Sequence, residues 1–585
     1  MSKRYLVLML LALGLLGLLG YWFSRHSPED GPAVASLPPA QTLGFLALPG
    51  LPQAWQDIQQ SQFYRHVSSA AFWQRALGQD GYQRVVAEKQ RLEQRLGFPL
   101  TEQTVGLLLR REVGLALVPS RGPPWPFDVI AYVRVSDTER IAETLARTFS
   151  TAMQNLVRET QVVDGVEIVV LRPKDGTGRV SYAFLGTLAV LSTDPAWVID
   201  AIKSRQRPPQ DRLPVTTLFQ AMPLETAKPL LAYGYYDVSG MQSQVMARTP
   251  GAAPTPAGAL SILQMTDKVS LKASRVGNGV KVEAMAWHPP NGASQVFRDV
   301  AREGATAPFQ GVPAETFYLT HIDLLNPRGL WQLYTQLAAL HPQDRLGFEQ
   351  RLARFRAWTG VDLERDVLPL LTGVGGLGIT APLGPRRRGP VALPGVFLTL
   401  GITDGAKGQQ LLQTIGTHAG GPLYTEFLRR RQHDGHTIYY LDNPFLFVKP
   451  GYVISRQQLI LASDVGLLQY MLDAAAGKTP ALFETPAYRD TRKHFQVTGG
   501  SLTFIDVATA SEKARDTWSR LGFLIRALLP VGPGTSDAAA MQGDLSALLE
   551  LLRPIHYVGA ASQAESQGVR TEAFIVLEDV KPSGH

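Results

Sequence analysis

A complete G-x-G-x-x-G lies within "LLTGVGGLGIT", Leu370 to Thr380, at Gly373, Gly375 and Gly378. Glycines at this spacing cradle a dinucleotide pyrophosphate when a buried strand precedes them and a helix N-terminus follows to face the anion. Here they run into "LGITAPLGP", which predicts a strand ending in prolines, with no helix start to receive a phosphate. The expectation is glycines that ease a turn and a close-packed strand, and no cofactor.

Other chemistry-bearing spacings resolve in the same way. "DAAAGKT" ends in Gly477, Lys478 and Thr479 like the tail of a phosphate-binding loop, but Leu472 stands where its first glycine belongs. A helical pattern precedes it, so Gly477 is expected to terminate that helix. "HDGH" sets His433 and His436 astride Asp434-Gly435. Asp-Gly predicts a tight type I′ turn, and no third ligand is near in sequence, so no metal is expected. H-E-x-x-H and G-x-S-x-G are both missing, and the chain has no cysteine, which excludes thiolate metal sites, disulfides and cysteine nucleophiles. Asp237 and Asp506, each at the end of a strand pattern, are expected to cap a following helix or turn. No catalytic residue is assigned. Two proline-rich basic loops, 119–127 ("PSRGPPWPF") and 382–395 ("PLGPRRRGPVALPG"), carry the candidate contact residues Trp125, Arg386, Arg387 and Arg388 for a protein partner or a lipid headgroup.

The elements that must position these residues are written twice along the chain. Asp164-Gly165 recurs 270 residues later as Asp434-Gly435, and Asp194 of "LSTD" recurs at the same offset as Asp464 of "LASD". "YGYYDV" with Asp237 answers "LTFIDV" with Asp506, 269 residues on. Within each copy a short strand follows a Pro-Ala dipeptide. Helices follow, then strands such as "FDVIAYVRV" and "GVFLTLGI", a helix, the Asp-Gly hairpin, and a helix capped by the recurring aspartate. In "DRLGFEQRLARFRAW" the apolar Leu346, Phe348, Leu352, Phe355 and Trp358 are expected to share a face, and in "RVVAEKQRLEQRL" so are Val85, Leu92 and Leu96. Antiparallel strands with packed helices make each copy α+β. The expected division is a tip and anchor at 1–23, a tether at 24–36, a first repeat domain at 37–290, a linker at 291–310, a second repeat domain at 311–580 and a tail at 581–585.

Residues 5–23, "YLVLMLLALGLLGLLGYWF", form a 19-residue run without charge, close to the ~20 helical residues a bilayer core requires. Lys3 and Arg4 precede it and aromatic residues end it, which predicts an amino terminus in the cytoplasm and the bulk of the chain outside. A cleaved signal peptide is the competing reading, with Ala33-Val34-Ala35 as the cut, but the run is longer than such cores and the cut lies far beyond it. Of the residues 45% are apolar and 18% charged, enough for sizeable cores, and the net charge of +7 is spread without the basic–aromatic face of a nucleic-acid binder.

"FRAWTGVDLERDVLPLLTGVGGLGIT", "LILASDVGLLQYML" and "VPAETFYLTHID" together resemble a bacterial family of membrane-anchored proteins catalogued only as a domain of unknown function. Its marks are a Pro-Ala-Asp/Glu-Thr start, a T-G-h-D-L-x-x-D-V-L-P segment (h apolar) and a strand–helix "ASD". The first copy departs, since "RLGFPLTEQTVGLLL" lacks the aspartates and the proline. The resemblance implies an anchored, extracytoplasmic protein of the bacterial inner membrane and brings no catalytic residues. The expected function is a non-enzymatic binding or scaffold protein of the envelope, with a lipid-handling protein or hydrolase working between the two repeats as the alternative.

Overall fold

The computed structural model describes residues 38–49, 112–121, 126–134, 156–173, 179–204, 230–248, 266–288, 309–383, 393–497, 500–516 and 555–577, a few positions within these ranges excepted, together with 83, 86, 87, 90, 549 and 552. The charge-free run at 5–23, the tether, the linker up to 308 and Val85, Leu92 and Leu96 lie outside the described residues, while Gln83, Val86, Ala87 and Gln90 of the same stretch as Val85 are helical. No described helix is long and apolar enough to cross a membrane.

The chain divides into two compact units, one formed by 1–252 with 267–278 and 579–585, the other by 253–266 with 279–578. The first contains β1 (Gly44–Leu48), β2 (Val113–Pro119), β3 (Phe127–Arg134), β4 (Leu156–Val163), β5 (Val166–Pro173), β6 (Val180–Leu185), β7 (Leu188–Ser192), α1 (Pro195–Ser204), β8 (Leu230–Asp237), α2 (Val238–Arg248) and β9 (Lys268–Val276). Its hydrogen-bonded order is β4-β5-β6-β7-β3-β2-β1-β8-β9, every pair antiparallel. Both faces of its central strands are buried. Ile130, Tyr132 and Val190 pack with Trp197 and Val198 of α1 on one side, while Ala131, Val169, Tyr182 and Leu191 form a second cluster on the other. This double burial explains why "LAVLS" reads as an unbroken apolar run instead of an alternation.

The second unit contains β10 (Gly279–Trp287), β11 (Thr316–Ile322), α3 (Pro327–Ala339), α4 (Pro342–Thr359), β12 (Leu371–Thr380), β13 (Gly395–Ile402), α5 (Gly405–Phe427), β14 (Leu428–His433), β15 (His436–Leu441), β16 (Gly451–Ser455), β17 (Gln458–Ala462), α6 (Val465–Ala475), α7 (Pro486–Lys493), β18 (Ser501–Asp506), β19 (Ile555–Glu565) and β20 (Gly568–Leu577). Its order is β14-β15-β16-β17-β13-β12-β11-β18-β19-β20-β10, again antiparallel throughout. Its first nine neighbours repeat the strand order of the first unit. The α+β reading with an antiparallel sheet thus holds.

Local chemistry follows the sequence closely. Asp164-Gly165 and Asp434-Gly435 all take positive φ, as a type I′ turn requires. Asp194 and Asp464 accept the backbone N–H two residues on, at 2.9 and 2.8 Å, and so cap α1 and α6. Asp237 accepts from Gly240 N and Asp506 from Thr509 N, at 2.8 and 2.9 Å, each capping the helix that follows its strand. Gly477 is left-handed (φ 72°) just past α6, the C-terminal stop expected of it.

One expectation fails. On α4 the inward stripe is the buried Phe348 and Thr359 with the half-buried Leu352 and Phe355, spaced four, three and four, while Leu346 and Trp358 are 59% and 63% exposed. At 100° per residue Leu346 lies nearly opposite Phe348, so these five residues never shared one face.

Candidate functional site

The glycine motif is wholly strand. Gly373, Gly375 and Gly378 lie inside β12, which pairs antiparallel with β11 and β13, and residues 381–383 continue without helix. Gly373, at φ 89°, sits where the β12–β13 register shifts. A Cβ on Gly378 would meet the ring of Phe397 at 2.1 Å. The glycine therefore exists to seat that ring, which is 1% exposed. The segment "TGVDLERDVLP" is likewise spent on backbone. Gly360 ends α4 at φ 71°, Asp362 accepts from Glu364 N and Arg365 N, and Asp366 accepts from Asp362 N at 2.9 Å.

His433 and His436 part company across their turn. His433 Nε2 meets Asp473 on α6 at 2.9 Å, while His436 Nε2 meets Ser455 at 2.9 Å and its Nδ1 meets the Asp434 carbonyl at 2.9 Å. Among the described residues no group of His, Asp or Glu is placed to hold a metal. Trp125 and Arg386, Arg387 and Arg388 lie outside the described residues. The base of the first of their loops is pinned: Arg121 N donates to Asp128 at 3.3 Å, Trp197 Nε1 donates to the same carboxylate at 3.1 Å, and the Arg121 guanidinium lies 4.1 Å over the Trp197 ring.

Among the described residues two hollows of about 400 Å³ open in the second unit, a polar one lined by Asn326, Arg328 and Thr372 and an apolar cleft. The floor of the cleft is sheet: Val396 and Leu398 of β13, Tyr439 and Leu441 of β15, Tyr452 of β16 and Leu461 of β17. Its wall is Tyr424, with Leu428 where α5 gives way to β14. The wall depends on a break in α5, because Gly421 takes φ 51° and ψ −143° ahead of Pro422. Beyond the break Tyr424 folds back onto Gly416 and Gly420, where a Cβ would meet its atoms at 2.2 and 2.6 Å. The "HAGGPLY" sequence thus reads as a bend with bare backbone under an aromatic ring.

The lining carries no charge. Tyr439 and Tyr452 stack at 5.1 Å and 11°, and Gln409 Nε2 on α5 donates to the Tyr452 hydroxyl at 2.9 Å. Burial, reinforced by the neighbouring Tyr424 phenol, pushes the Tyr452 phenol far above its ordinary range. It is therefore a neutral hydroxyl at any physiological pH.

The equivalent face of the first unit is closed over Ala131, Val169 and Leu191. The matching registers Phe397↔Ala462 and Ile130↔Ser192 align Leu398 with Ala131 and Leu461 with Leu191, and the 270-residue offset aligns Tyr439 with Val169. Ala131, Val169 and Leu191 are each 5% exposed, whereas Leu398 is 37% exposed and Tyr439 and Leu461 are half-buried; the next pair along the strand, Val396 at 42% and Val129 at 40%, is exposed in both units. Sequence reasoning missed this site. The signals that point to it are the Gly-Gly-Pro inside a helical pattern and the adjacent Tyr439-Tyr440 on a strand whose twin reads Val-Val.

No curated protein matches the sequence. Among solved structures the chain is similar to one described as "Structure of crystal form III of TP0453", at 7% identity and TM-score 0.24, covering 48% of this chain and 91% of that one. Crystal form I of the same protein gives 9% identity and TM-score 0.22, covering 47% and 90%. These likenesses are too slight to bear on function. Residues 109–383 match the family model described as "Protein of unknown function (DUF3352)", so the resemblance to a family known only as a domain of unknown function is borne out over that stretch of the chain.

Proposed function

We propose that this protein is a membrane-anchored, extracytoplasmic binding protein of the bacterial envelope, not an enzyme, and that its second unit binds an apolar ligand. The charge-free run at 5–23 behind Lys3 and Arg4 supports the anchor and its orientation. The shared strand order and the 270-residue offsets support two domains descended from one by duplication.

The observation that carries the binding function is the contrast between twins. At equivalent sheet positions Ala131, Val169 and Leu191 are buried in the first unit, while in the second Leu398 is exposed and Tyr439 and Leu461 are half-buried along an uncharged aromatic cleft. A cleft of about 400 Å³ lies within the ~300–1,000 Å³ typical of ligand sites. Its lining offers hydroxyls and apolar surface but no acid–base pair, which favours holding a ligand over transforming it.

The test is binding of a neutral fluorescent probe, N-phenyl-1-naphthylamine, to the full chain kept soluble in amphipol. Wild type is expected to bind and to brighten the probe, and Leu398→Glu is expected to abolish this without changing the far-UV circular dichroism. Equal binding by Leu398→Glu refutes the reading, as does failure of wild type to bind.

A further inference from the structure

Resting on that reading, we infer that the ligand of the cleft is a single-chain carboxylate amphiphile, its chain in the cleft and its carboxylate on the Arg430 guanidinium.

Strand β14 borders the cleft as the edge of the sheet, paired only with β15 among the described residues. Its side chains alternate between faces. His433 reaches Asp473 on α6, so the odd-numbered Arg429 and Arg431 share the α6 face. Leu428 lines the cleft, so Arg430 stands on the cleft face. Register gives the same answer. Leu428 is opposite Leu441 and Arg430 opposite Tyr439, and both partners line the cleft. Directly opposed residues have Cβ atoms about 5 Å apart, which places Arg430 at the rim, one side chain from the stacked tyrosines.

The cations around it are unequal. Lys449 is held by Asp442 at 2.6 Å, and Arg429 donates to the carbonyls of Glu426 and Leu428 at 2.7 and 3.1 Å. Arg430 is exposed, and among the described residues no hydrogen bond or ion pair engages it. An arginine keeps its charge at any physiological pH and offers a planar fork that matches a carboxylate bidentately. An uncharged apolar trough ending at one free guanidinium is complementary to a chain with one anionic end.

Size selects one chain. At about 30 Å³ per methylene-sized group, the share of a water molecule in its liquid, the cleft takes roughly a dozen carbons. That suits one dodecyl chain and is too little for the paired chains of a phospholipid.

The experiment compares radiolabelled dodecanoate with dodecanol by equilibrium gel filtration on the full chain in amphipol, for wild type, Arg430→Gln and Arg430→Lys. Wild type is expected to prefer dodecanoate by about tenfold, the scale of one charge-assisted hydrogen-bonded contact. Arg430→Gln should erase that preference while leaving dodecanol binding unchanged, and Arg430→Lys should restore part of it. If neither ligand binds wild type, the apolar-cleft reading itself fails. If dodecanol binds as well as dodecanoate, or Arg430→Gln keeps the preference, the cleft stands and the carboxylate assignment is overturned. Displacement of dodecanoate by an equimolar two-chain phosphatidylglycerol also overturns the assignment.

Discussion

Replacing Gly378 by alanine tests the reading of the glycine-rich strand most sharply. The added Cβ would lie 2.1 Å from the Phe397 ring, with two further ring atoms at 2.4 and 2.8 Å. Ordinary contact begins near 3.4 Å, so the ring must retreat by about 1.3 Å. It has nowhere to go, since Phe397 is 1% exposed and packs within the cluster of Leu319, Ile460, Leu468 and Phe504. Overpacking of this kind costs about 1–3 kcal/mol, and complete loss of the ring's packing bounds the effect at about 3–5 kcal/mol. Hydrogen exchange read by mass spectrometry on peptides covering 371–380 and 395–402 is the assay, because a chain of two units need not unfold in one step. Protection there should fall by one to two orders of magnitude in Gly378→Ala and recover in the Gly378→Ala/Phe397→Leu double variant, whose smaller side chain vacates the clash. Gly347→Ala is the control: it lies in α4 with nothing within 4 Å of its added Cβ, so it should stabilise by about 0.5–1 kcal/mol. Undiminished protection in Gly378→Ala would refute the packing argument.

Asp464→Ala removes the cap of α6 and should cost about 0.5–2 kcal/mol, read as a lower urea midpoint, with Asp194→Ala behaving alike in the first unit. Glu572 is fully buried on β20, accepts Gln496 N at 2.6 Å, and faces Lys281 at 3.6 Å and Arg570 at 2.9 Å. Glu572→Ala leaves Lys281 with Glu283 alone, at 3.6 Å, strands the Gln496 and Val497 N–H groups, and should destabilise by about 1–3 kcal/mol in chemical denaturation. Burial pushes the Tyr182 and Tyr488 phenols up to about 12 from an ordinary 10.0. The unfolded chain then releases these protons first, so stability is flat below pH 10 and falls as pH rises toward about 12. Tyrosinate absorbance at 295 nm should show this as phenols that ionise late and together with unfolding.

Much of this protein is legible one segment at a time. Asp-Gly at 164 and 434 dictates its turn because few other residue pairs tolerate two positive φ angles. Asp194 and Asp464 dictate helix starts because a carboxylate two residues upstream satisfies an otherwise orphan N–H. The glycines of β12 were readable as strand because prolines and β-branched residues follow them where a phosphate site needs a helix. The α4 stripe was misjudged from the same kind of information: apolar identity alone grouped Leu346 and Trp358 with Phe348, although helical angle separates them.

The sequence by itself determined the turns, the caps, the antiparallel α+β character and the duplicated order of landmarks, because each rests on interactions within a few residues or on periodicity along one element. Only the tertiary structure decided that the two units, alike in strand order, differ in the burial of one sheet face. Whether Leu398 is covered like Ala131, whether Tyr424 lands on Gly416 after the bend at Gly421, and whether Arg430 stands beside Tyr439 depend on registers and packing between strands far apart in the chain. Burial is a property of neighbours in space, and no local pattern encodes which side of a sheet is left uncovered.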